Sequence, residues 1–353
     1  MKQVNFVCFV LAAIIFVGCT GKEEKKYNDC DRFSWKDTGK EILLQGHDLD
    51  LGELVTRPMR ISVSDSTLIL LNNDNEALVQ LIELKTGKES GHYGSFGSGP
   101  ADLMTPRYVQ KKDSLLFIYD SRLRRFNHYV IASDSLLKLK NSIQFTCYFD
   151  DVFMLSDSML VANVLDPRLK KISFFQKDSM LRTMGEYPLT EGEDNSLEEL
   201  ARMEGFASSL AWNPLKKKIA VVYKQTDLIE IYDEAGNFKK RIQGPDMFFP
   251  SKSVKNVGDT QKVTANIGEE RDAYFSPIAT DDELFVLYSG KYYHPGDKNY
   301  LLDHMLVFDW DGNILRQYKL DIPIFRFTID SSTHTIYGLT DTPEFRVIRY
   351  HLE

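Results

Sequence analysis

Six short β-rich runs, each entered through a tight polar turn, constrain this chain more than any other feature of its 353 residues. The runs begin at Leu68, Leu115, Met159, Ile219, Leu284 and Thr335. The turns before them are Ser64-Asp65-Ser66, Lys112-Asp113-Ser114, Ser156-Asp157-Ser158, Asn213-Pro214, Asp281-Asp282-Glu283 and Asp330-Ser331-Ser332. Asp, Ser and Asn suit such turns because their side chains bond the local backbone. Another apolar segment precedes each turn, as at 59–63 and 325–329, so the repeated element is strand–turn–strand. Every unit except the last adds a second hairpin. Its turn is Glu234-Ala235-Gly236-Asn237 in one unit and Asp311-Gly312-Asn313 in another, residues that supply the positive φ values tight hairpins need. Lys85-Thr86-Gly87-Lys88, Ser133-Asp134-Ser135 and Lys177-Asp178-Ser179 hold the same place in the earlier units.

Four antiparallel strands per unit, recurring about every 45 to 65 residues, is the pattern of a β-propeller. The expected fold is all-β, a six-bladed β-propeller over residues 41–353; five or seven blades follow only from another reading of the stretch between Gly244 and Tyr274. The last unit ends after three strands, and residues 41–45 (Glu-Ile-Leu-Leu-Gln) form a spare one. Donating that N-terminal strand to the last unit closes the ring without an open blade edge. A short helix is expected at 194–205, within the insertion between the third and fourth blades. Asn195 caps it, Glu198 stands three residues on, and Gly205 ends it.

The topology also selects a face. Turns between first and second strands, and between third and fourth, lie at one end of the ring and are all short. The long connections, 94–105, 191–205, 244–273 and 289–303, belong to the other end and crowd one mouth of the central channel. Loops on a rigid scaffold commonly carry function, and pockets favour the mouths of closed β structures.

A resemblance can be attached to these residues. Gly94-Ser95-Phe96-Gly97-Ser98-Gly99-Pro100-Ala101-Asp102, then Pro106, then Leu116-Phe117-Ile118-Tyr119-Asp120 and Arg124-Arg125-Phe126, resembles an NHL-type repeat. The whole chain is similar to the six-bladed, TolB-like propeller lipoproteins abundant in Bacteroidetes. The resemblance implies the fold over 41–353 and no particular reaction.

The first residues read as an export address. Lys2 supplies a positive start, and 6–17 is an apolar run shorter than the roughly 20 residues a spanning helix needs. It ends in Phe16-Val17-Gly18-Cys19, which resembles a lipobox, with Cys19 as the acylated new N-terminus. The expected organisation is a lipoprotein signal peptide at 1–18, a lipidated flexible tether at 19–40, and the propeller. Two or more acyl chains suffice for stable membrane anchoring. Lys22-Glu23-Glu24 is similar to the signal that sends such lipoproteins to the cell surface, so an outer-membrane, surface-exposed protein is expected, with the periplasmic face as the alternative. Cys30 and Cys147 remain in a compartment that permits disulfides, without a spacing that pairs them.

Net charge is −8, and the basic runs 216–218 and 239–241 are short and flanked by acids, which excludes nucleic acid as partner. Recognition residues are sought at the crowded mouth. Tyr292, Tyr293 and His294 sit between Gly290 and Gly296 in a polar loop, while Phe248 and Phe249 are expected to pack their insertion down. Arg57, Arg60 and Arg107 stand at the starts of innermost strands. There they meet a carboxylate or sulfate, or else a salt bridge from a neighbouring blade.

No catalytic motif emerges. Asp309, Asp311 and Asn313 begin like a calcium loop, but Ile314 stands where glycine and Leu320 where the bidentate glutamate belong. Asp120, Asp150, Asp151, Asn72 and Asn163 show no convergence in the sequence, and no metal or other cofactor is indicated. The favoured function is a binding module for a glycan, a peptide or an envelope partner. The alternatives are a calcium-dependent propeller hydrolase or lactonase, and a structural subunit of an envelope complex.

Overall fold

The computed structural model describes residues 25–51, 55–73, 78–132, 137–190, 199–257, 260–294 and 296–352. Six sheets of at least four strands form the blades of a ring. Their innermost strands are Pro58–Ser64, Pro106–Lys112, Phe149–Ser156, Ser208–Asn213, Tyr274–Ala279 and Arg326–Asp330. Neighbours within a blade are antiparallel, with the expected polar turns at one end.

The apolar runs that announced the repeat are the second strands. Leu68 to Leu71, Ile219 to Tyr223 and Leu284 to Leu287 are buried without interruption. Alternation is absent there because a neighbouring blade covers each face, and strands buried on both sides read as continuous hydrophobic runs. Six apolar clusters fill the six gaps between blades. The one joining the last blade to the first holds Ile61, Leu68, Leu70 and Ile82 against Tyr337, Leu339 and Val347, so the ring is closed.

The closing strand differs from the expected one. Residues 41–45 were expected to complete the last blade. Instead β1 (Asp31–Arg32) and β2 (Ile42–Leu44) add in parallel to the outer edges of the fourth and fifth blades, along residues 242–243 and 318–320. The fourth strand of the last blade is β3 (His47–Asp48), antiparallel to Arg346–His351. Gly46 carries the chain from one blade to the next. A Cβ there would stand 2.6 Å from Ile348 Cγ2, so the crossing needs a residue without a side chain.

The flexible tether is corrected as well. Cys19 and the signal peptide lie outside the described residues, but from Tyr27 onward the segment is packed. Tyr27 and Phe33 are 2% and 6% exposed, and Trp35 donates its indole N–H to Asp246 at 2.8 Å. Residues 27–48 are therefore a belt around three blades, not a leash.

The stretch between Gly244 and Tyr274 is no blade. It holds a two-stranded hairpin, Lys252–Val257 with Thr260–Ala265. The expected helix appears as Glu199–Gly205, with 194–198 and its cap outside the described residues. Cys30 and Cys147 are not joined; each packs in a different inter-blade cluster.

Candidate functional site

The described parts of the four long connections lie at one end of the ring. The 94–105 linker is fastened by the residues of its repeat-like motif. Asp120 accepts from Met104 N at 2.6 Å and Thr105 N at 2.8 Å, while Arg125 donates to Gly99 O at 2.9 Å and Asp102 O at 3.0 Å. The insertions at 244–273 and 289–303 join through an Arg271–Tyr292 bridge and a bond from Tyr293 N to Glu270 O. Arg271 pairs with Asp246 at 2.6 Å and stacks between Phe248 and Tyr292. Phe248 and Phe249 thus pack as expected, Phe249 against Tyr27.

Beneath this mouth the channel opens into a cavity of about 320 Å³. All six innermost strands line it, which puts the ring axis through it. Its charged groups are Arg60, Arg107 and Arg326, from the adjacent first, second and last blades, and Asp150, Asp151 and Lys224 from the third and fourth. Lys224 and Asp150 neutralise each other at 2.8 Å. Asp151 accepts from Leu210 N at 2.8 Å and from Val152 N at 3.0 Å. Burial pushes its carboxyl up from the ordinary range, against the pull of the Leu210 amide and of Lys224.

The three arginines are set differently. Arg60 donates to Met59 O at 2.9 Å, Arg107 to Ser121 Oγ at 3.1 Å, and Arg326 to Phe325 O at 2.9 Å and Ser276 Oγ at 3.1 Å. Among the described residues none of them reaches a carboxylate. A guanidinium carries five donors, so most of theirs are unused by protein. Burial first, and then the neighbouring Arg60 charge, drag Arg326 down to about 9; Asp151 opposes this from across the cavity. Arg60 is lowered by burial too, with Asp151 again holding it up. Three like charges share a confined space whose opposite wall does not fully balance them.

The sequence candidates are now divided. Arg60 and Arg107 line the cavity; Arg57 is exposed and does not. Tyr292 and Tyr293, 50% and 38% exposed, lie with His294 on the outer insertions and not on the cavity wall. Arg326 was missed, although it starts an innermost strand as Arg107 nearly does. Asp150 and Asp151, which showed no convergence in the sequence, do converge. Asp120, Asn72 and Asn163 are buried structural groups; Asn72 bonds Gln80 at 2.7 Å and Asn163 bonds Ser208 O at 3.0 Å. Asp309 spends its carboxylate on the amides of Asp311 and Asn313, as a hairpin turn does. Among the described residues no three His, Cys, Asp or Glu side chains group as metal ligands would.

Among the described residues, the serine and threonine hydroxyls on the cavity wall, Ser62, Ser209, Ser276 and Thr328, make no hydrogen bond to a histidine or carboxylate of the kind an activated nucleophile uses.

Comparison with known proteins is consistent with this geometry. A family model described as TolB-like 6-blade propeller-like matches residues 34–332. No curated protein matches the sequence. Among solved structures, a member of the duf4221 family from Bacteroides vulgatus superposes with a TM-score of 0.58 at 9% identity, covering 89% of this chain and 97% of that one. Raptor from Chaetomium thermophilum gives 0.50 at 10% identity, over 88% of this chain and 29% of its own. Identities this low show the shared fold alone.

Proposed function

Because the chain belongs to the TolB-like six-bladed propeller family, we propose that it is a membrane-anchored binding module that takes a glycan, a peptide or an envelope partner at the crowded mouth of its ring. The observation that carries this reading is the cavity under that mouth, with three guanidinium groups that meet no carboxylate among the described residues. Arginine forks of this kind recognise anionic groups with directional bonds. A rigid ring with unsatisfied donors on its axis suits recognition better than turnover.

The anchor in this reading is a lipid on Cys19, at the outer membrane and facing the cell surface. Tyr27 fixes the chain on the mouth side, where its hydroxyl meets Thr226 at 3.1 Å and its ring meets Phe206 and Phe249. Cys19 precedes it by 8 residues. That length reaches at most about 28 Å when extended. A lipid there keeps the mouth near the membrane, and its ligand is one that comes to that surface.

The test has two parts. Labelled palmitate should enter the wild-type chain and not Cys19→Ala, and only the wild type should partition into detergent; equal labelling removes the anchor. Detergent-solubilised full chain on a glycan and peptide array should then capture a ligand whose binding falls in Arg60→Ala and Arg107→Ala. Loss in Tyr292→Ala or Tyr293→Ala instead, with both arginine variants unchanged, moves the site to the outer loop.

A further inference from the structure

Resting on that reading, we infer that the cavity holds a sulfate or phosphate ester carried on a hydroxylated body such as a sugar, its oxyanion held by Arg60, Arg107 and Arg326 and a hydroxyl accepted by Asp151. The argument starts from charge. Lys224 and Asp150 form their own pair at 2.8 Å, which leaves three guanidiniums facing one carboxylate. The unmatched charge of two is that of a phosphate monoester dianion; a sulfate ester, with a single negative charge, leaves one positive charge over.

Shape narrows the choice. The arginines come from three consecutive blades, so they address a ligand from three directions. A tetrahedral ester presents three terminal oxygens to such an arc, whereas a carboxylate presents two in one plane. Each guanidinium is held by a single anchor or two, to Met59 O, to Ser121 Oγ, or to Phe325 O and Ser276 Oγ. These contacts aim the groups and leave donors over. The burial that weakens Arg326 is relieved when an anion joins it.

Asp151 supplies the second requirement. Its two oxygens already take one amide each, from Val152 and Leu210, and each keeps a free lone pair. A bare dianion gains nothing from that wall. A ligand with a hydroxyl beyond its charged end does. The cavity volume of about 320 Å³ suits a monosaccharide ester and excludes a folded chain, so a longer glycan enters by one end.

Calorimetry with the detergent-solubilised full chain tests this, using N-acetylglucosamine 6-sulfate, glucose 6-phosphate, glucuronate, free glucose and inorganic sulfate. At least one sugar ester should bind, and Arg326→Gln or Arg107→Gln should weaken it about 10- to 100-fold, the loss expected of a charged hydrogen bond. Asp151→Asn should weaken the ester and leave inorganic sulfate unchanged. Each variant is first shown to melt with the wild type. Glucuronate binding above both esters overturns the tetrahedral assignment. Inorganic sulfate binding as tightly as the esters, with Asp151→Asn silent, overturns the hydroxylated body. If no anion binds while the array still captures a neutral ligand at the mouth, this inference falls and the binding module stands; silence in both removes both.

Discussion

Glu230→Ala is expected to lower the unfolding free energy by about 3–5 kcal/mol, because it strands two cations inside the protein. Glu230 is wholly buried in the gap between the third and fourth blades. One carboxylate oxygen accepts from Lys171 Nζ, from Tyr223 OH at 2.7 Å and from Tyr232 OH at 2.8 Å; the other takes Arg241 Nε at 2.8 Å and Nη2 at 2.6 Å. The Lys171 side chain is 2% exposed and sits over the rings of both tyrosines. Burial holds its ammonium down to about 8 against the pull of Glu230. Without the carboxylate Lys171 keeps only the Tyr223 hydroxyl at 2.6 Å, the two ring faces and the Glu186 charge against that burial.

The control is the pair. Lys171→Met leaves Glu230 with Arg241 and two hydroxyls, so it should cost less than Glu230→Ala. With Glu230→Met as the second single variant, the Lys171→Met/Glu230→Met double variant should cost less than those two single losses added, since matched apolar replacement of a buried pair is often near neutral. Urea unfolding of the set reads this directly. Additive losses would mean that the two side chains act separately. Burial opposes ionisation of Glu230, yet Lys171 and Arg241 outweigh it and keep its carboxyl below the ordinary value. Its contribution is therefore complete above its unfolded pKa of about 4.3 and is lost as pH falls through the lower folded value.

How far the sequence could be read follows from the same geometry. The second strands were legible because burial on both faces makes them unbroken apolar runs, and Asp–Ser turns mark their starts. The placement of the long loops needed only strand order. Arg60 and Arg107 were legible as strand-start cations, and Arg326 carried the same signal in the last unit, directly after Phe325. Asp150 and Asp151 were not legible as partners of those arginines. Nothing local says that strand starts 40 or more residues apart face each other across an axis. The belt was missed for another reason. β1 and β3 are two residues long, too short for any period, and a charged sequence before them reads as solvated. Tyr27, Phe33 and Trp35 are spaced without rhythm because the segment crosses from the cluster between the third and fourth blades, which takes Tyr27, to the next one, which takes Phe33 and Trp35.

Removing the belt should destabilise the ring strongly. A chain starting at residue 25 keeps every contact described for residues 27–48 and should melt with the full chain. A chain starting at residue 49 leaves the last blade with three strands and exposes the edges of Arg346–His351 and of 318–320, and unpaired edges template aggregation. It also uncovers the sites of Phe33 and Leu44, 6% and 4% exposed, in two separate inter-blade cores. Phe33→Ala alone should cost about 3–5 kcal/mol through the cavity it leaves. Gly244 offers an independent probe from the other side. A Cβ on it would stand 2.3 Å from Phe33 O, so Gly244→Ala should lift the belt without touching it. Melting curves and gel filtration decide the matter. A start at residue 49 that stays monomeric, with a melting temperature within a degree or two of the full chain, would show that the ring closes on its blades alone. In that case β1, β2 and β3 are passengers and the tether runs on through His47–Asp48.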